Sequence, residues 1–157
     1  MTENGSGQGV IVCGIDGSSG SRRALQEAIR TAARRGDRVR AVAVYEPLEM
    51  WSAWGYGAAA AIPMPDSEAL REDELAAART MVSEVLEETG SAPEVTVEVQ
   101  PGRPAEVLVD VSRDADELVV GHRGRGGFGS AMLGSVGLGC VLRASCPVTV
   151  VPEPVAA

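Results

Sequence analysis

Short apolar, β-branched runs alternate with helix-period segments along this chain, and no other feature narrows its fold as far. Val10 to Cys13, Val39 to Val44, Val95 to Val99, Glu117 to Val120 and Pro147 to Val151 read as strands, each bounded by turn or breaker residues. Gly14 reads as the break that ends the first of them. Ala24, Leu25, Ala28, Ile29, Ala32 and Ala33 then recur at helical spacing until Gly36 stops them. A second helix starts near Asp66 or Ser67, turns Leu70, Leu75, Ala78, Val82, Val85 and Leu86 inward and ends at Gly90. Pro104 sets the first turn of a third helix through Val111, and Val136 to Ala144 makes a fourth. Apolar strands joined by helices pair in parallel through right-handed crossovers. The expectation is an α/β chain: an open five-stranded parallel sheet with helices on both faces.

In that architecture ligands collect at the carboxyl ends of strands, where the strand order reverses. The loop at Asp16 follows the first strand and the loop at Gly121 follows the fourth, so both fall on the same sheet edge. Two motifs far apart in sequence are expected to form one cleft.

The second loop carries the more specific chemistry. Gly121-His122-Arg123-Gly124-Arg125 is followed, with nine residues between Gly124 and Gly134, by Gly134-Ser135-Val136. Gly121 and Gly124 can take positive φ and let main-chain N–H groups approach a ligand, while Gly134 and Ser135 fall where a helix begins, with orphan N–H groups and a positive dipole end. Together they read as a phosphate cradle. Val120 feeds it from the strand, and Arg123 and Arg125 can pair with phosphate. Across the cleft, the Asp16 carboxylate can accept from ribose hydroxyls, help hold Mg2+, or cap the following helix.

Composition excludes several alternatives. All 14 basic residues are Arg and the net charge is −8, so an extended cationic face for nucleic acid would be built against the overall field. Without lysine there is no Walker loop, and Gly14, Gly17 and Gly20 do not make the dinucleotide fingerprint. His122, the one histidine, shows no orienting carboxylate in sequence and reads as a solvent-facing loop residue. Ser135 lacks a nucleophile elbow and reads as a phosphate donor. Cys13, Cys140 and Cys146 show no metal or disulfide spacing, Cys13 and Cys140 read as small core residues in a strand and a helix, and the set suits a reducing cytosol. No apolar run reaches the ~20 residues that cross a bilayer, and the start lacks a signal pattern, so a cytoplasmic protein with no membrane partner is expected.

For organisation, residues 9–152 read as a single domain between tails at 1–8 and 153–157. Residues 45–65, with Trp51, Trp54, Tyr45 and Tyr56, break the periodicity and read as a long loop or lid. Those aromatics cover a base, pack on a partner or seal the helix edge of the core.

The spacing G-x2-G-x9-G-S, the motif Cys13-Gly-Ile-Asp16-Gly-Ser and the terminal Cys146-Pro-Val-Thr-Val-Val strand resemble the universal stress protein family, in its UspA-like, ATP-binding subgroup. The resemblance implies a Rossmann-like, adenine nucleotide alpha hydrolase-like sheet that binds ATP, with or without Mg2+, at its carboxyl edge. AMP and cyclic AMP stand as alternatives. By position, Gly14, Ile15 and Asp16 would border the adenosine, with Asp16 on ribose, and Val44 would meet adenine through its backbone. Val120, Gly121 and Gly124 would surround the ribose and nearest phosphates, Gly134, Ser135 and Val136 the outer phosphates, with Arg123 and Arg125 beside them. It also implies a homodimer through the last strand, Val148 to Val151. The resulting expectation is a nucleotide-responsive, dimeric stress or signalling module, a binding protein with at most weak ATPase activity. The alternatives are a weak ATPase or other adenylate-handling enzyme, and a nucleotide-free dimeric scaffold.

Overall fold

The computed structural model of the chain describes residues 7–47, 66–123 and 132–154. Five strands, β1 (Val10–Ile15), β2 (Arg38–Tyr45), β3 (Val95–Pro101), β4 (Glu117–Gly121) and β5 (Val148–Val151), form one sheet in the order β3-β2-β1-β4-β5. Every neighbouring pair is parallel. Among the described residues the connections carry α1 (Ser19–Arg35), α2 (Ser67–Thr89), α3 (Pro104–Val111) and α4 (Ser135–Arg143). The alternation read from the sequence is the architecture observed.

Local chemistry explains the element ends. The side chain of Ser18 accepts from the Ser21 N–H and opens α1, and Gly36 closes it at φ 77°, a left-handed conformation that glycine adopts without a Cβ clash. Asp66 accepts from the Glu68 N–H to start α2, and Gly90 ends it. Pro104 occupies the first turn of α3, where its missing N–H is no loss.

The sheet divides the core into two layers. Ile11, Cys13 and Ile15 of β1 point toward α1 and α2, where they meet Leu25, Ile29, Val82 and Val85. Val12, one residue out of phase, points the other way and joins Val42, Leu118, Val120, Leu108 of α3 and Cys140 of α4. Fully burying side chains the size of Leu25 or Ile29 stabilises by roughly 1.5–3 kcal/mol each. Arg22 of α1 ties the first layer's surface together by bridging Glu84 and Glu88 of α2.

Three local expectations change. Gly14 does not end β1: it pairs with Val42 inside the ladder, and a Cβ there would lie 2.7 Å from Leu108 Cδ1. The glycine makes room for α3. Ala33 is exposed, since it falls just off the buried stripe of α1. On α2 the buried residues are Ala78, Met81, Val82 and Val85, whereas Leu70 is only half-buried near the helix start. The second half of α2 makes the core contact, and Met81 completes its stripe.

Candidate functional site

At the centre of the sheet β1 and β4 lie side by side, yet the chain leaves β1 toward the α1 layer and β4 toward the α4 layer. The divergence opens a cleft of about 470 Å³ at their carboxyl ends. Strand order reverses here, the position at which parallel α/β sheets hold ligands. Val42, Val44 and Val120 make its apolar floor with Pro104 and Leu108 of α3. Asp16, Ser18 and Ser21 form one polar wall, and Gly134, Ser135 and Val136 at the start of α4 lie along another.

Gly14, Ile15, Asp16, Val44, Val120, Gly121, Arg123, Gly134, Ser135 and Val136 all line this cleft. Gly124 and Arg125 lie outside the described residues, as do Trp51, Trp54, Tyr56 and most of the 45–65 loop. Ile15 contributes main chain, because its side chain is buried in the opposite layer.

The polar wall is a closed hydrogen-bonded ring. Asp16 Oδ1 accepts from the Ser18 N–H at 2.9 Å and from the Ser18 hydroxyl at 2.5 Å. The Asp16 N–H donates to Ser21 Oγ at 3.2 Å, and Ser21 donates its own N–H to Ser18 Oγ at 3.1 Å and its hydroxyl to the Ser18 carbonyl at 3.0 Å. Ser18, not Asp16, is the cap of α1.

The glycine loop departs from expectation in two ways. Gly121 is not at positive φ, the described glycines in that region being Gly17, Gly36, Gly90 and Gly102. It is glycine because the β4 end touches the start of α1: a Cβ on Gly121 would lie 2.7 Å from the main-chain carbon and oxygen of Gly20. The Gly134 N–H, expected to face a ligand, donates to the His122 carbonyl at 2.9 Å. The first intrahelical bond of α4 is Leu138 N–H to the Gly134 carbonyl, so the N–H groups of Ser135, Val136 and Gly137 precede it.

His122 is half-buried and lines the cleft instead of facing solvent. Its N–H donates to the Val151 carbonyl at 3.0 Å while its carbonyl holds Gly134. Its main chain therefore joins β5 to the start of α4.

Sequence reasoning also passed over Ser18, Ser21, Pro104 and Leu108 as site residues. The S-x-x-S spacing at the start of α1 was a readable capping signal. Pro104 and Leu108 carried none, because α3 reaches the cleft only through the sheet order. Among the described residues, no group of three or more His, Cys, Asp or Glu side chains stands where it could hold a metal ion, and no helix is long and apolar enough to cross a membrane. Cys13 and Cys140 are buried and Cys146 half-buried. Burial raises the Cys13 thiol pKa far above its ordinary value and pushes that of Cys140 up to about 11.

Comparison with known proteins agrees with this geometry. The family model described as the Universal stress protein family matches residues 9–152. A universal stress protein of Mycobacterium tuberculosis H37Rv is 31% identical over 151 residues, covering 91% of this chain and 48% of the relative. The chain spans about half the length of the mycobacterial relatives it matches. Among solved structures, a universal stress protein in complex with cAMP superposes with a TM-score of 0.63 at 24% identity, covering 94% of this chain and 98% of that one. The universal stress protein from Archaeoglobus fulgidus in complex with dAMP does so with a TM-score of 0.58 at 21% identity, covering 92% and 97%. At these identities the two structures establish a shared fold.

Proposed function

We propose, on the premise that this chain belongs to the universal stress protein family, that it is a cytoplasmic ATP-binding module whose nucleotide occupancy is read out through a homodimer. The observation that carries this reading is the meeting, in one cleft, of the Asp16 carboxylate with the open N-terminus of α4. A nucleotide needs both kinds of group, acceptors for sugar hydroxyls and donors for an anion. The N–H groups of Ser135, Val136 and Gly137, at the positive end of the helix dipole, suit the phosphates. The floor of Val42, Val44, Leu108 and Val120 suits an adenine face, and Asp16 suits the ribose. Gly124 and Arg125 join the phosphate side in this reading. That related folds were solved with cAMP and dAMP supports an adenine nucleotide as the ligand.

The dimer is supported by β5, which among the described residues ends the sheet with a β4 partner on one side only. Beside it, Leu138, Val141 and Leu142 expose an apolar stripe on α4. Since the His122 main chain bonds both Val151 and Gly134, a ligand at the start of α4 has a direct route to the edge strand. Occupancy shifts the dimer only insofar as the two states bind nucleotide unequally.

The test is calorimetric titration of nucleotide-stripped protein with ATP, AMP and cyclic AMP, with and without Mg2+, beside Ser135→Asp. An acid in the first turn of α4 favours the helix while repelling phosphate, so the variant keeps its melting temperature and loses affinity. Saturable ATP binding that weakens by ~10-fold or more in the variant, about 1.4 kcal/mol, is the expected result. No binding by any of the three nucleotides would sink the proposal and leave a dimeric scaffold.

A further inference from the structure

We infer that Ser18 is a positioning residue for the Asp16 carboxylate, and that through it this chain recognises the sugar hydroxyls of its nucleotide. The inference rests on the nucleotide reading above and goes beyond it by naming the group that makes Asp16 selective.

The proton directions around the ring are fixed by its donors. Ser18 Oγ already accepts the Ser21 N–H at 3.1 Å, so its own proton goes to Asp16 Oδ1 at 2.5 Å. Ser21 Oγ already gives its proton to the Ser18 carbonyl, so it accepts the Asp16 N–H. Each hydroxyl thus has one donor role and one acceptor role. Capping α1 uses only the acceptor side of Ser18. Its proton, and its main-chain N–H at 2.9 Å, are surplus to the cap and converge on a single carboxylate oxygen.

This matters because an aspartate following a strand end, beside Gly17, has two rotatable side-chain bonds. Two donors from one residue hold it in one orientation at the cleft wall, with the loss of side-chain freedom incurred in folding instead of binding. A preorganised carboxylate discriminates a sugar hydroxyl from hydrogen more sharply than a mobile one, because the latter can turn to water.

The experiment compares affinities for ATP, 2′-deoxyATP and 3′-deoxyATP in wild type, Ser18→Thr, Ser18→Gly and Ser18→Asp, with a thermal melt of each. Glycine is nearly as good a cap and lacks the hydroxyl, so its melting temperature should stay within about 2 °C of wild type. Aspartate retains the capping acceptor and brings no proton, which provides a folded variant if glycine loosens the helix. The expected result is a wild-type preference for ATP of ~10-fold over at least one deoxy analogue, the order of one hydrogen bond to a charged group. That preference is retained in Ser18→Thr and falls to within about twofold of unity in Ser18→Gly and Ser18→Asp. Equal wild-type affinity for all three nucleotides, or an unchanged preference in the folded Ser18 variants, overturns the inference while the nucleotide reading stands. A wild type that binds none of them overturns both.

Discussion

Gly20 and Gly121 touch through their backbones, the second residue of α1 against the last of β4, with a Cβ on Gly121 falling 2.7 Å from Gly20 main-chain carbon and oxygen. A Cβ on Gly20 would in turn lie well under 3.0 Å from the Arg123 carbonyl oxygen. This contact joins the two loops of the cleft directly. Even Gly121→Ala therefore has to push the start of α1 away from the sheet. Overpacking of this kind costs roughly 1–3 kcal/mol, and a chain of this size loses about 2–4 °C of melting temperature per kcal/mol. Thermal melts of Gly121→Ala should show that loss, and Gly121→Trp should lose the fold together with any binding.

Arg40 of β2 grips Glu98 of β3 with two nitrogens, at 2.7 and 2.9 Å, and donates its third contact to the Val111 carbonyl at the end of α3. Hydrogen bonding from Arg40 lowers the Glu98 pKa below its ordinary 4.5. A carboxylate depressed by folding contributes stability above its unfolded pKa and loses it as pH falls through the lower folded value. Urea midpoints followed from neutral pH to well below 4.5 should fall in wild type. In Glu98→Gln the neutral-pH unfolding free energy should already be lower, by the ~0.2–1 kcal/mol typical of a partly exposed pair, with the midpoint lower to match and the acid loss correspondingly smaller.

How much of this was legible beforehand depended on the range of each interaction. The strands, the caps at Asp66, Gly36 and Gly90 and the first turn at Pro104 were readable because each is decided within a few residues. Asp16 and Ser135 were readable as residues of one sheet edge because alternation fixes which loops share it. The reason for glycine at 121 was not readable: a glycine before a loop allows positive φ locally, but here the constraint comes from Gly20, about a hundred residues away. Gly134 and His122 escaped for the same reason, since the bond between them spans the glycine loop and the bond from His122 to Val151 depends on β5 lying beside β4.

The three thiols should separate by reactivity. Cys13 is fully buried between β1 and α1, and burial also holds the Cys140 thiol protonated, up to about 11, against the opposing pull of Arg143. Reaction requires an accessible thiolate. Mass spectrometry of the native protein after limited alkylation should find the label at Cys146 first, with Cys13 and Cys140 modified only in denaturant.

The edge of β5 offers a narrow test of the proposed dimer. Pro147 and Val151 accept from Leu118 of β4 and from His122 just past its end. In a parallel ladder the residues that bond a neighbour alternate with those facing away, which turns the Val150 N–H outward. Val150→Pro removes that outward donor and spares the bonds to β4. Sedimentation equilibrium should show a dimer for wild type and a monomer for the variant. A dimer in both would place the interface elsewhere, with the α4 stripe of Leu138, Val141 and Leu142 the next surface to alter.

The pairing of β1 with β4 also sets the order in which this molecule can come into being. β1, β2 and β3 are consecutive neighbours, and so are β4 and β5, but the seam between the two groups unites residues more than a hundred apart in the chain, as the bond from the Val10 N–H to Asp116 shows at a separation of 106. Closures of that length are slow, because the entropy of a long loop is lost before its contacts form. The cleft lies on the seam, so neither half contains it. Until the two groups of strands meet there is nothing with which to hold a ligand, and a ligand in the cleft marks a seam that has closed.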